Sequence, residues 1–282
     1  MIITRRDFLK YTGSFAAWTM LSAGFPRLSF ASLPTDNRFI LVILRGALDG
    51  LAAVPPYGDR DYASMRGELA FHPPGGEDGA IDLDGFFGLH PSLEPLMPLY
   101  QRKQLAFVHA VASPYRERSH FDAQNLLENG TTRPGGTEGW LNHALSALGA
   151  TDGAAIAINQ QVPLVLQGEA GVTSWAAKGP KWNEDSDYMQ KIKSLYAQDP
   201  LLSSAFVEGV RSQEIAESSL PADDMMAGGK AKGPAQLYGA AKAAAMFLTK
   251  ENGPRVAVLE AAGWDTHAAQ GTSNGPLANP AC

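Results

Sequence analysis

Short runs of consecutive apolar residues, separated by segments of helical spacing, constrain the fold of this chain more than any other feature. Arg38 to Leu44 reads Arg-Phe-Ile-Leu-Val-Ile-Leu. A run without polar alternation is expected of a strand buried on both faces in a parallel sheet. Leu105 to Val111, Ala154 to Ile158, Pro163 to Leu166 and Arg255 to Glu260 are read as strands on the same grounds. Between them, Ser92 can cap a helix running through Leu93, Leu96, Leu99 and Tyr100. Ser119 to Gln124 reads as a helix start, and Trp140 to Leu148 as a helix. Asp199-Pro200 is a cap followed by proline, with apolar positions continuing at Leu202, Phe206 and Val210. Leu237, Ala241, Ala244, Ala245 and Leu248 mark one face of a further helix. Strands alternating with helices predict an α/β fold with a mainly parallel sheet flanked by helices. Pro55 to Gly79 reads as surface loop, Ile81 to Gly85 as a short extended piece and Pro221 to Pro234 as a mobile linker. No internal repeat is visible.

Three strand ends carry polar groups. The first leads through Arg45-Gly46-Ala47-Leu48-Asp49-Gly50, the second to Ser119, His120 and Asp122, the last to Asp265 and His267. Strands of one parallel sheet direct their C-terminal ends to one edge, where open α/β sheets place ligands. Groups far apart in sequence can therefore meet. Asp-x-His in a loop offers a carboxylate oxygen and an imidazole nitrogen to one cation. Asp49, facing the same crevice, would add a charge able to bridge two metals. A serine at a helix N-terminus has backbone N–H groups nearby that favour an anion. Together these suit metal-assisted attack on a phosphate or sulfate ester.

Each group also has a plainer reading. Asp49 between glycines suits a turn, and Ser119 suits an N-cap whose oxygen accepts a backbone N–H. His120 and Asp122 can satisfy neighbouring loop groups, and Asp265 can cap a turn beside a solvated His267. His90, before Pro91, reads as a loop residue packed on the helix it precedes, and His109 as a core histidine. The shared location at strand ends is what raises these residues above background.

The only cysteine is the last residue, Cys282, so neither an intrachain disulfide nor a thiolate cluster can form. A metal would need oxygen and nitrogen ligands.

The N-terminus carries a second signal. Thr4-Arg5-Arg6-Asp7-Phe8-Leu9-Lys10 matches the twin-arginine export consensus. A modest apolar stretch follows from Tyr11 to Ala23, too short and too weakly apolar for a stable span. Ser29-Phe30-Ala31 then offers small residues where a signal peptidase cuts, which predicts cleavage after Ala31. The twin-arginine translocase is the expected partner during export, and a periplasmic or otherwise exported location follows. Taking the leader's four basic residues and one acid from totals of 23 and 29 leaves 19 and 28, a net charge of −9. That balance argues against nucleic acid or an anionic membrane as partner.

Four segments occur in order: Leu44 to Leu51, Phe87-Gly88-Leu89-His90-Pro91, Arg118 to Gln124, and Gly263-Trp264-Asp265-Thr266-His267. With them the chain, from about Arg38 to Asn279, resembles the twin-arginine-exported bacterial family called domain of unknown function fifteen-oh-one. That family is grouped with the alkaline phosphatase and sulfatase superfamily. The resemblance implies that fold, divalent metal ions (zinc, manganese or calcium) and a two-metal site. By position it implies Asp49 as first-strand metal ligand, Ser119 as nucleophile, and Asp265 and His267 as later ligands. Family members continue beyond the Gly-Trp-Asp-Thr-His segment, whereas here Gly275 to Cys282 follows soon after. The expectation is a domain spanning 38–282 that is incomplete at its C-terminus. Three functions are open: an exported metal-dependent hydrolase of phosphate or sulfate esters, a non-enzymatic binding protein of the same fold, and an inactive truncated fragment.

Overall fold

A computed structural model describes residues 35–46, 48–76, 78–150, 152–176, 187–200, 202–203, 206–207, 209–210, 234–251 and 253–275. The leader with its cleavage point, nearly all of the 221–234 linker and the end of the chain after Gly275 lie outside the described residues.

Among the described residues the main sheet has four strands: β1 (Phe39–Leu44), β4 (Ala155–Ile158), β5 (Thr173–Ser174) and β6 (Val256–Ala261). Their order is β1-β6-β4-β5, and every pairing is parallel. The expected α/β architecture with a parallel sheet is therefore present. Two further strands, β2 (Ile81–Asp82) and β3 (Gly88–Leu89), form a small antiparallel pair that includes the predicted extended piece.

Alternation along β4 and β6 explains why helices cover both faces. Ala155, Ala157, Val256 and Val258 point one way and pack with Leu141 and Leu145 of a helix at Trp140–Ala147. Ile156, Ile158, Ala257 and Leu259 point the other way, onto Ala243, Ala244, Phe247 and Leu248. Those four belong to the helix Pro234–Thr249, where spacings of three and four residues make a single apolar stripe. Phe247 is fully buried, a contribution of about 2–3 kcal/mol by transfer of its side chain from water. Among the described residues the helices include, in chain order, α1 (Gly50–Ala53), α2 (Tyr62–Arg66), α3 (Met97–Gln101), α4 (His120–Asn129), α5 (Trp140–Ala147), α6 (Asp187–Tyr196) and α7 (Pro234–Thr249). None of the described helices is long and apolar enough to cross a membrane.

Several local expectations are corrected. β1 is an edge strand, paired only with β6 among the described residues, and Phe39, Ile40 and Val42 remain about half exposed. Its apolar run reflects strand propensity more than double-sided burial. Residues 105–111 form no strand. Val108 and Val111 are 82% and 69% exposed, since no described neighbour offers that segment a ladder. Residues 164–166 form a 3-10 turn closed by Leu166 N–H donating to Pro163 O at 2.9 Å. Between residues 91 and 101 the chain makes a 3-10 segment and then α3, because Pro95 cannot donate within a helix. The cap there is His90, whose side chain accepts from Ser92 N, and not Ser92 itself. Asp199 does cap as expected, accepting from Leu202 N at 3.1 Å. The strand β5 and the helix α6 had no sequence forecast.

Candidate metal centre

β1 and β6 run parallel and in register from Phe39 opposite Val256 to Leu44 opposite Ala261. Both chains therefore leave the sheet at the same height, and Arg45 N donates to Ala261 O at 2.7 Å. The two loops then touch. Gly46 has φ +120, and a Cβ there would lie 2.5 Å from Asp265 N. A glycine is required because the backbone carrying Asp265 occupies the space a side chain would need.

The third contributor, α4, is held over this edge by one face. His120, Gln124 and Glu128 are spaced four residues apart and form a single stripe. Glu128 pairs with Arg45 and accepts from Val165 N at 3.2 Å. Gln124 donates to Gly46 O at 3.0 Å. Arg45 also donates through Nε to Glu260 at 2.6 Å, and Asn159 holds that carboxylate from the other side. Burial alone would lower the Arg45 pKa, but hydrogen bonds and charge from Glu128 and Glu260 outweigh it and raise it. Two rungs of the stripe thus bind the end of β1, which leaves His120 at the third, facing the β6 loop.

There the ligand set closes. His120 Nε2 lies 3.3 Å and His267 Nε2 lies 2.9 Å from the same oxygen, Asp265 Oδ2. The imidazole centroids are 5.4 Å apart. One ligand atom from each residue falls within 4.8 Å of the others, so the three form a group that can hold a metal ion. A cation about 2.0–2.1 Å from each donor at tetrahedral angles would set donor atoms about 3.3 Å apart. The two edges to Asp265 Oδ2, 3.3 and 2.9 Å, lie close to that value. His267 is 75% exposed along its side chain, so the group is open to solvent on one side.

Asp265 and His267, both expected as ligands, meet in this group, and His120 joins them. The sequence marks His120 with Ser119 and Asp122 as a polar group at a strand end, with a plainer reading as a partner of neighbouring loop groups; its helical spacing from Gln124 and Glu128 was the signal that could have raised it to a ligand. Asp49 lies at the same edge with its carboxylate turned to other partners. Oδ1 accepts from Leu51 N at 3.0 Å and Ala52 N at 3.3 Å, capping α1. Oδ2 pairs with Arg66 and accepts from Gln270 Nε2 at 2.7 Å. Burial pushes its pKa up, but the hydrogen bonds from Gln270 and Arg66 prevail and hold it below the ordinary carboxylate range. Ser119 is the N-cap of α4, accepting from Asp122 N at 3.3 Å. The Tyr115 hydroxyl donates to Asp122 Oδ2 at 2.9 Å and also hydrogen-bonds Ser119.

The ligand loop is tied down beyond its ligands. Thr266 Oγ1 donates to Gln270 Oε1 at 2.8 Å, which aims the other end of that amide at Asp49. His90, buried against Phe71, accepts from Ser92 N at Nδ1 (3.0 Å). That fixes Nε2 as the protonated nitrogen, and it donates to Thr272 O at 3.2 Å. Next to the loop, behind Trp264, opens a cleft of about 1100 Å³.

Comparison with family models, with curated proteins and with solved structures gives no match for this chain.

Proposed function

We propose that the chain is an exported metal-dependent hydrolase of phosphate or sulfate esters, of the alkaline phosphatase and sulfatase kind, with His120, Asp265 and His267 as its metal ligands. The observation that carries this reading is the approach of two imidazole nitrogens to one carboxylate oxygen, at 3.3 and 2.9 Å, from two separate elements at the sheet edge. Two nitrogens and one oxygen suit zinc or manganese better than calcium, which prefers six to eight oxygens. Three protein ligands with an open side is the arrangement of catalytic sites. A divalent cation bound there supplies charge that polarises an ester oxygen and acidifies water. The remaining roles fall to this chain's own residues. Asp265 would neutralise part of the ion's charge beside the two imidazoles. Ser119 is assigned the nucleophile: it stands directly before His120, with its hydroxyl oriented by the N–H of Asp122 and by Tyr115. The twin-arginine leader, Arg5 and Arg6 included, supports export of the folded, loaded protein.

Elemental analysis of folded protein, purified without chelator, tests the reading. About one divalent ion per chain is expected, lost in Asp265→Ala and His120→Ala while circular dichroism is unchanged. Ser119→Ala is expected to keep the ion and to lose turnover of 4-nitrophenyl phosphate and 4-nitrophenyl sulfate. Folded wild-type protein that contains no metal and takes up none would overturn the proposal.

A further inference from the structure

We propose that the cleft behind Trp264 binds an uncharged aromatic group, the organic part of the ester whose anionic end meets the His120–Asp265–His267 group. This rests on the reading of that group as a metal centre. Trp264 forms part of the cleft wall and is the residue immediately before Asp265, which sets the cleft beside the loop that carries Asp265 and His267. The volume, about 1100 Å³, is enough for a fused ring system, since sites for drug-sized ligands run from roughly 300 to 1,000 Å³.

The chemistry of the walls disfavours an anion. Among the described residues, the lining includes no lysine or arginine. Its half-buried carboxylate, Asp49, is already engaged by Arg66 and Gln270, and Asp59 stands exposed and accepts from Asp61 N at 2.8 Å. An anion inside would find no counter-charge, so the phosphate or sulfate end is left to the metal group. The walls also present rings. His109 lies flat on Phe87, with centroids 3.8 Å apart and planes 10° from parallel. Phe86 meets Phe87 edge to face at 4.9 Å. Stacked and edge-on rings are the surfaces on which a planar aromatic guest packs. Finally, Val108 and Val111 contribute to the rim and are 82% and 69% exposed, apolar surface that an occupant would remove from water.

The test is a titration of the chelated full chain with 2-naphthol, followed by calorimetry, with 1-octanol as the aliphatic comparison. Val108→Asp and Leu51→Asp change exposed rim residues and leave the core intact. Saturable binding of 2-naphthol is expected in wild type and equally in Asp265→Ala, weakened about tenfold or more in both rim variants. Absence of saturable 2-naphthol binding, binding unaltered by both rim variants, or octanol binding as tightly as naphthol would each overturn the proposal. Naphthol binding by a protein that holds no metal would sink the hydrolase reading and leave the aromatic cleft standing.

Discussion

Gln270 Nε2 donates to Asp49 Oδ2 at 2.7 Å, joining two loops that are 221 residues apart. Through that bond, a carboxylate that does not enter the metal group still fixes the loop that does. Asp49 caps α1, receives Arg66 and restrains Gln270, which Thr266 holds from the other end. It therefore acts on Asp265 and His267 by position.

Asp49→Asn is expected to lower stability by about 1–3 kcal/mol, because Arg66 loses its partner while remaining largely buried. Metal stoichiometry should survive, with affinity reduced about 10–100-fold as for other groups that orient ligands. Urea unfolding and a metal titration measure the two effects. Complete loss of the ion from a folded Asp49→Asn protein would instead make Asp49 a ligand.

Glu128→Ala should be among the most damaging substitutions outside the metal group. Glu128 is 6% exposed and pairs with Arg45, which would keep Glu260 as its carboxylate partner and a long hydrogen bond to Gln124. Breaking a buried pair on one side costs about 3 kcal/mol or more. The same change removes one of the ties between α4 and the end of β1, leaving that from Gln124 to Gly46 O, so metal affinity should fall together with stability. Glu128→Gln, which keeps the acceptor for Val165 N, should be milder on both counts.

Gly46→Ala tests the close passage of the two strand-end loops. A Cβ would stand 2.5 Å from Asp265 N and 2.8 Å from Trp264 C, at a φ of +120. Both contacts are backbone and have no rotamer with which to yield. A loss of more than about 1 kcal/mol is expected, with a matching shift in metal affinity as Asp265 is displaced.

His90 gives the protein a dependence on acid. Burial lowers its pKa below the ordinary 6.5, against a smaller opposing contribution from the hydrogen bond to Thr272 O. The native state thus holds the neutral ring, whereas the unfolded chain takes up the proton first. The contribution to stability is complete above 6.5 and is lost as pH falls from there towards the lowered native value. Protonation would also convert Nδ1 from acceptor to donor and break its bond from Ser92 N. Unfolding free energies at about pH 7.5 and about pH 5.5 should differ more in wild type than in His90→Gln. Equal differences in the two proteins would remove His90 as the cause.

Much of the sheet was legible in the residues themselves. Phe39 to Leu44, Ala155 to Ile158 and Val256 to Ala261 form strands where uninterrupted apolar runs predict them. The same signal failed at 105–111, since an apolar run states a preference for burial and not the presence of a neighbour to pair with. Pro163 to Leu166 failed for a different reason: Pro163 starts a tight turn whose residues are buried by packing on α5 and not by a ladder. At the candidate centre, Asp265 and His267 were readable because both stand on one short loop directly after a strand. His120 was named beside them but not assigned as a ligand, because a histidine at a helix start can equally satisfy neighbouring loop groups.

The sequence by itself determined what depends on near neighbours. Ser119 caps α4 and Asp49 caps α1, because a short oxygen-bearing side chain finds the free N–H groups two or three residues ahead. Only the tertiary structure decided the order β1-β6-β4-β5, the exposure of β1, and which carboxylate faces the imidazoles. Asp49 and Asp265 are the same chemical group at equivalent ends of adjacent strands. One is engaged by Arg66 and Gln270 and the other meets His120 and His267, and that difference is set by partners contributed from distant parts of the chain.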